Sequence, residues 1–188
     1  INLNVQEAFY EQDDYINALV ASSKEALEAE HDHILFSYHG LPEAHLKKAD
    51  PTGNHCLSSS DCCEKPSIAH ATCYRHQIFA STRAFVDKAG LEQGSYSVAF
   101  QSRLGRAKWL DPYTEESIRK LAQQGVKKLL VICPAFVTDC LETLEEIGLR
   151  GEEVFLEAGG ESLTLVPCMN DHPLWVETLA SWCETNGA

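Results

Sequence analysis

The residues most able to do chemistry fall in four places. Asp139, Glu142, Glu145 and Glu146 crowd the stretch just past an apolar run, Leu129-Leu130-Val131-Ile132-Cys133, which Pro134 ends. Asp139 and Glu142 have the spacing of a helix N-cap and its N3 acid, and Glu142 and Glu146 lie one turn apart on one face. Like charges at that spacing cost a helix about 0.2–0.5 kcal/mol per pair. Such a face is either a solvated helix start eased by the macrodipole or a set of carboxylates for a cation or a proton. His39, before the tight turn that Gly40 permits, could ligate a metal, accept a proton or serve only the structure. His31, His33, His45, His55, His70, His76 and His172 stand in less favourable positions.

Cys56, Cys62, Cys63 and Cys73 form C-x5-C-C-x9-C in a polar, loop-like segment spanning residues 49–73. Four thiolates there can close around a [2Fe–2S] cluster or a zinc ion. The adjacent pair departs from the C-x2-C of zinc ribbons; flexible loop ligands without a charged run suit a cluster, with zinc or four unrelated thiols as the alternatives, and His70 and His76 lie near enough to compete as ligands. Cys133, Cys168 and Cys183 sit in apolar patterns and are expected in the core. Trp109 stands close to Arg103, Arg106 and Lys108, an aromatic face with cations that suits a flat anionic ligand, or else a lid over the core.

The elements that must position these residues are read from periodicity. Residues 5–30 carry apolar positions at helical spacing and predict one or two amphipathic helices. Short apolar runs at 33–37, 96–101, 129–133 and 163–167 predict strands, and helices are expected over 69–89, 112–124 and 172–183, with 152–156 continuing the acidic helix. Alternating strands and helices imply an α/β fold with a mainly parallel sheet of about four strands and helices on both faces. Ligands of such sheets bind beyond the carboxyl ends of the strands. Three strand-end loops should therefore converge, those carrying His39, Gln101-Ser102-Arg103 and Asp139-Cys140-Glu142.

A chain of 188 residues suits one domain with its own core. Its formal charge of −13 disfavours nucleic acid, because phosphate backbones would be repelled. No apolar run approaches a transmembrane span. Eight cysteines, read without a secretory signal, predict reduced or ligated thiols and a cytoplasmic location.

Three stretches resemble the ferrochelatases, which insert Fe(II) into a porphyrin to make haem: Phe36-Ser37-Tyr38-His39-Gly40-Leu41-Pro42, Phe100-Gln101-Ser102-Arg103-Leu104-Gly105 with Trp109-Leu110, and Asp139-Cys140-Leu141-Glu142-Thr143-Leu144. Their order and spacing are specific, and the likeness covers nearly the whole chain but only the carboxyl-terminal half to two-thirds of the family's length. The resemblance implies that residues 1–188 are one Rossmann-like α/β half of a two-lobed enzyme whose amino-terminal half, with its porphyrin-contacting lip, is missing here. It implies that His39 and Glu142 are the catalytic pair, and that His39, Glu142, Glu146 and Asp139 handle the metal. Trp109, Gln101, Ser102 and Arg103 would meet the substrate, protoporphyrin IX, with Fe(II) as the second substrate.

Some members of the family bear a [2Fe–2S] cluster, which would fall here to Cys56, Cys62, Cys63 and Cys73. The helix that Asp139 opens has a π-bulged turn in relatives. Two departures stand out: Cys140 replaces a histidine of several relatives, and Arg150 replaces an acid. The chain alone is expected to turn over poorly, and a homodimer is left open. The rival readings are a cluster-bearing module that binds a tetrapyrrole without chemistry, and a cobalt or nickel chelatase.

Overall fold

The uncharged apolar runs become strands. A computed structural model of the chain describes residue 3 and residues 5–186. Residues 1, 2, 4, 187 and 188, at the margins of the expected domain, lie outside that description. The strands β1 (His33–His39), β2 (Tyr96–Gln101), β3 (Lys128–Ile132) and β4 (Ser162–Leu165) form one sheet in the order β2-β1-β3-β4. Every neighbouring pair is parallel, so all the carboxyl ends lie along one edge. The helices are α1 (Asp13–Glu28), α2 (Glu43–Ala49), α3 (Tyr74–Ala89), α4 (Thr114–Gln123), α5 (Leu141–Thr143), α6 (Glu152–Glu157) and α7 (Pro173–Asn186). None of the helices in the described residues is long and apolar enough to cross a membrane.

The two-residue period of a strand sorts the core into two layers. Ile34, Phe36 and Tyr38 of β1, with Leu130 and Ile132 of β3, face Ile16 and Leu19 of α1, Ile78 and Phe85 of α3 and Trp175 of α7. Leu35, Ala99, Leu129 and Val131 face the other way, against Ile118 of α4, Phe155 of α6 and Ile147. Burying each large side chain of this kind stabilises the fold by about 1.5–3 kcal/mol. The same alternation dictates where chemistry can occur. His39, Gln101 and Cys133 continue the second set, so at the strand ends they point toward the α4 side.

Between α5 and α6 the chain runs as a π-helical segment, Leu144–Gly151, the feature that the resemblance implied. A widened turn must still lie close to its neighbours, and glycine allows it here: a Cβ on Gly151 would come within 3.3 Å of Ile118 Cδ1.

Several boundaries differ from the sequence reading. The helix expected over 69–89 is two pieces, a 3-10 turn Ile68–Ala71 and then α3, because Cys73 is extended and its thiol turns toward the other cysteines. The expected helix start at Pro112 moves to Thr114, since Pro112 gives its carbonyl to the Phe100 amide and Tyr113 bridges to Phe100. Helix α2 was not foreseen; Glu43 in its first turn and Lys47 and Lys48 in its last suit the macrodipole. Cys133 and Cys168 are buried as expected, whereas Cys183 is exposed on α7.

Candidate active site

A cleft of about 570 Å³ opens over the carboxyl ends of β1 and β2, and His39, Gln101, Ser102, Arg103, Trp109, Glu142 and Glu146 all line it. Residues remote in the chain thus meet in one place because adjacent parallel strands deliver them there. Of the predicted site residues, Asp139 alone among the cleft group stands outside the lining.

His39 ends β1, level with Gln101 of β2. Its Nδ1 lies 2.6 Å from the Gly40 carbonyl, which can only accept, so Nδ1 carries the proton and Nε2 is left as the basic nitrogen of the neutral ring. The imidazole sits beside two aromatic rings, with centroids 6.3 Å from Trp109 and 6.2 Å from Phe136. Gly40 makes this possible: a Cβ there would meet the Gln101 carbonyl at 3.0 Å and the Trp109 ring at 3.3 Å. Trp109 is fixed by a short antiparallel bridge to Pro42, with Leu110 donating to the Leu41 carbonyl and Glu43 to that of Lys108. Its indole N–H is enclosed and meets no hydrogen-bond acceptor among the described residues.

Gln101 and Ser102 are chiefly braces. The Gln101 amide is 2% exposed; it donates to the Glu142 carbonyl at 2.5 Å and accepts from Ser37 Oγ at 2.7 Å. Ser37 is bonded in turn to Thr114 at the start of α4. One side chain therefore ties β1 and β2 to the backbone beneath Glu142. Ser102 holds Glu146 with both its amide, 2.8 Å, and its hydroxyl, 2.7 Å. To do so it adopts φ 65°, a left-handed conformation that disfavours a non-glycine residue.

The carboxylates are thus oriented before any ligand arrives. The Cys140 thiol donates to Glu142 and, with the Glu142 amide and nearby His39, keeps its carboxyl below the usual range. Glu145 points elsewhere, paired with Arg150 at 3.0 Å. Asp139 is not the N-cap of α5; Cys140 takes that position and its amide donates to Thr143 Oγ1. Burial would raise Asp139, but Asn170, the Cys168 amide and thiol, and Thr143 outweigh that and lower it. Its carboxylate is 2.7 Å from Asn170 Nδ2 and 3.2 Å from the Cys168 amide, anchoring the helix start to the chain beyond β4. Arg103 stacks its guanidinium 4.2 Å over the Tyr113 ring, at the cleft wall that Glu115 and Glu116 also line.

Beside the cleft, Cys56, Cys62, Cys63 and Cys73 are all buried. Cys63 and Cys56 donate to Cys73, which lowers Cys73; that bond raises Cys63, and burial above all raises Cys56. Arg75 Nη1 lies 3.3 Å from Cys63 Sγ and 3.7 Å from Cys62 Sγ. His70 and His76, foreseen as rival ligands, stack on each other at 3.7 Å and engage carbonyls instead, those of Cys62 and Cys63. His55 joins them on the Cys62 carbonyl at 2.8 Å. Among the described residues, no three His, Cys, Asp or Glu side chains are gathered so as to hold a single metal ion.

Sequence reasoning did not find Ser37, Thr114, Phe136 or Asn170, whose parts depend on contacts across the fold. Arg75 could have been found, since a cation two residues past a ligand-type cysteine at a helix start is a local signal.

A parallel sheet with helices on both faces, and an imidazole, two oriented carboxylates and an aromatic wall at its strand ends, defines an α/β domain of the doubly wound class with its cleft where such sheets place ligands. A model of the ferrochelatase family matches residues 1–186. The chain is 57% identical over 185 residues to a ferrochelatase of Pseudomonas fluorescens (strain Pf0-1), covering 98% of this chain and 54% of that protein. It is 60% identical over 185 residues to one of Ectopseudomonas mendocina, covering 98% and 54%, and 56% identical over 188 to one of Azotobacter vinelandii, covering 100% and 56%. This chain belongs to the ferrochelatase family, and it spans about half the length of these curated relatives.

Proposed function

We propose that the chain supplies one wall of a metal-insertion site, and that the full-length protein inserts Fe(II) into protoporphyrin IX to make haem. The observation that carries this reading is the meeting of His39, Glu142 and Trp109 on one cleft at the strand ends. Insertion requires loss of two pyrrole protons and replacement of the metal's waters by ring nitrogens. With Nδ1 engaged by the Gly40 carbonyl, His39 presents Nε2 to take a proton. Glu142, kept ionised, offers hard oxygen to Fe(II) and can release it, while Glu146 and Asp139 support it through the helix they anchor. Trp109 and Arg103 would meet the macrocycle by stacking and by pairing with a propionate. Gln101 and Ser102 act by holding the acids. The matched relatives are nearly twice as long, so the facing wall comes from the rest of the protein and the present chain alone should turn over poorly.

We also propose that Cys56, Cys62, Cys63 and Cys73 hold a [2Fe–2S] cluster. The fit rests on four buried thiols, with Arg75 placed to donate to two of the sulfurs. Zinc asks for four ligands about one centre, whereas a [2Fe–2S] cluster asks for two thiols per iron. Zinc on the same thiols is the alternative. When bound, it supplies a cross-link of the loop, within a cytoplasm that keeps other thiols reduced.

The deciding experiment adds porphyrin to the full-length protein and follows its absorbance with and without Fe(II). A shift without iron and conversion with it supports insertion; a shift that iron leaves unchanged reduces the protein to a tetrapyrrole-binding module. The visible spectrum of anaerobically purified protein tests the cluster, and a colourless protein with stoichiometric zinc would contradict it.

A further inference from the structure

We propose that Tyr74 is a positioning residue for His39, and that through it the state of the cysteine loop reaches the cleft. The carboxyl end of β1 carries a backbone group that the sheet does not satisfy. Successive residues of a strand direct their amide and carbonyl to opposite neighbours. Ile34 and Gly40 donate toward β2, to the carbonyls of Ser95 and Gln101. His39 therefore faces the β3 side, yet the pairing of β1 with β3 ends at Phe36 and Ile132. Its carbonyl lies past the end of that ladder and needs another donor. The Tyr74 hydroxyl provides it, at 2.8 Å. A phenol hydroxyl is protonated at neutral pH, so it is a donor there.

Tyr74 stands between two residues committed to sulfur. Cys73 is buried with the other three loop cysteines, and Arg75 Nη1 lies 3.3 Å from Cys63 Sγ and 3.7 Å from Cys62 Sγ. The three are consecutive at the first turn of α3, so Tyr74 cannot keep its place if its neighbours move. The loop is also closed on itself near the cleft. Asp50, at the end of α2, accepts from the amides of His55 and Cys56, and Thr72 Oγ1 donates to the Ala49 carbonyl at 2.8 Å. Helix α2 in turn begins just after the turn that follows His39. A change at the sulfurs, such as loss of what they bind, is thereby transmitted to the Tyr74 hydroxyl on the His39 carbonyl.

The rate arm of the test rests on the insertion reading, whereas the spectroscopic arm does not. Both use the full-length protein. Tyr74→Phe removes only the hydroxyl, and kcat for insertion should fall about tenfold while KM for porphyrin stays within about twofold. Cys73→Ser should give the same fall, and the double variant should be no worse than the single ones, as coupled sites require. If Cys73→Ser does not fold, Arg75→Gln replaces it, since it removes the guanidinium from the sulfurs and leaves the thiols in place. Long-range 1H–15N spectra should show the His39 ring signals displaced by Tyr74→Phe and by the sulfur-side variant alike. An unmoved His39 ring, a Tyr74→Phe enzyme with the wild-type kcat, or losses that multiply in the double variant would overturn the proposal. A wild-type protein that inserts no iron would instead sink the insertion reading and leave the ring signals to decide on Tyr74.

Discussion

In the cleft, His39, Glu142 and Glu146 reach outward from a frame that fixes them from behind; in the cysteine loop, the reactive sulfurs face inward and the backbone around them is irregular. The cleft takes its order from long-range strand pairing, with Gln101 joining three elements beneath Glu142. The loop has no sheet to lean on, so polar side chains hold its backbone: Asp50 on three amides and three imidazoles on two cysteine carbonyls. A site on a rigid frame keeps its geometry without its ligand. A site built from such local ties should depend on the occupant of its thiols.

That contrast can be broken by variants of the braces. Gln101→Ala should do the most damage, because it takes the amide from the Glu142 carbonyl, leaves Ser37 with Thr114 alone of its two side-chain partners, and opens a buried void. We expect a loss of about 2–4 kcal/mol in denaturant unfolding, with the spectrum of the cysteine loop unchanged. Asp50→Ala should do the reverse: faster proteolytic nicking between residues 50 and 72, with little change in the global unfolding midpoint. A large global loss from Asp50→Ala would mean that the loop is part of the main fold.

Ser102 offers a finer comparison. Ser102→Ala removes the hydroxyl from Glu146 and keeps the left-handed strain, costing about 1 kcal/mol. Ser102→Gly loses the same bond but relieves a conformation that costs about 1–2 kcal/mol, so it should be the more stable of the two. The reverse order would show that the strain is not real. The smallest effect concerns acid. Asp50 and Asp139 are both held below the ordinary carboxylate range, Asp50 chiefly by the Thr52 hydroxyl and the Cys56 amide and Asp139 by donors that outweigh its burial. A depressed carboxyl stabilises the fold above its unfolded value near about pH 4, and the contribution fades only as pH falls further, through the folded value. Near-ultraviolet dichroism should therefore stay flat between pH 7 and pH 5; a transition near pH 6 would point to the histidines.

Much of this was legible in the chain. The four apolar runs announced the strands, and alternation with helices announced a parallel sheet, from which the convergence of three loops followed. What the sequence could not reveal depends on hydrogen-bond register. Gln101 and Ser102 look like ligand-binding residues until the sheet turns one inward and twists the other to φ 65°. Asp139 has the right spacing for a cap but is drawn away by Asn170, a residue placed by the far strand. Tyr74 gave no signal at all, because its role comes from a carbonyl left over where β3 stops pairing.

The central claim is that His39 and Glu142 act on one porphyrin from one cleft, and it is tested most directly by pre-steady-state iron insertion in the full-length protein. His39→Ala and Glu142→Gln should each still bind porphyrin and each slow insertion by about a hundredfold or more. Insertion at near-normal rates in either variant would contradict the account.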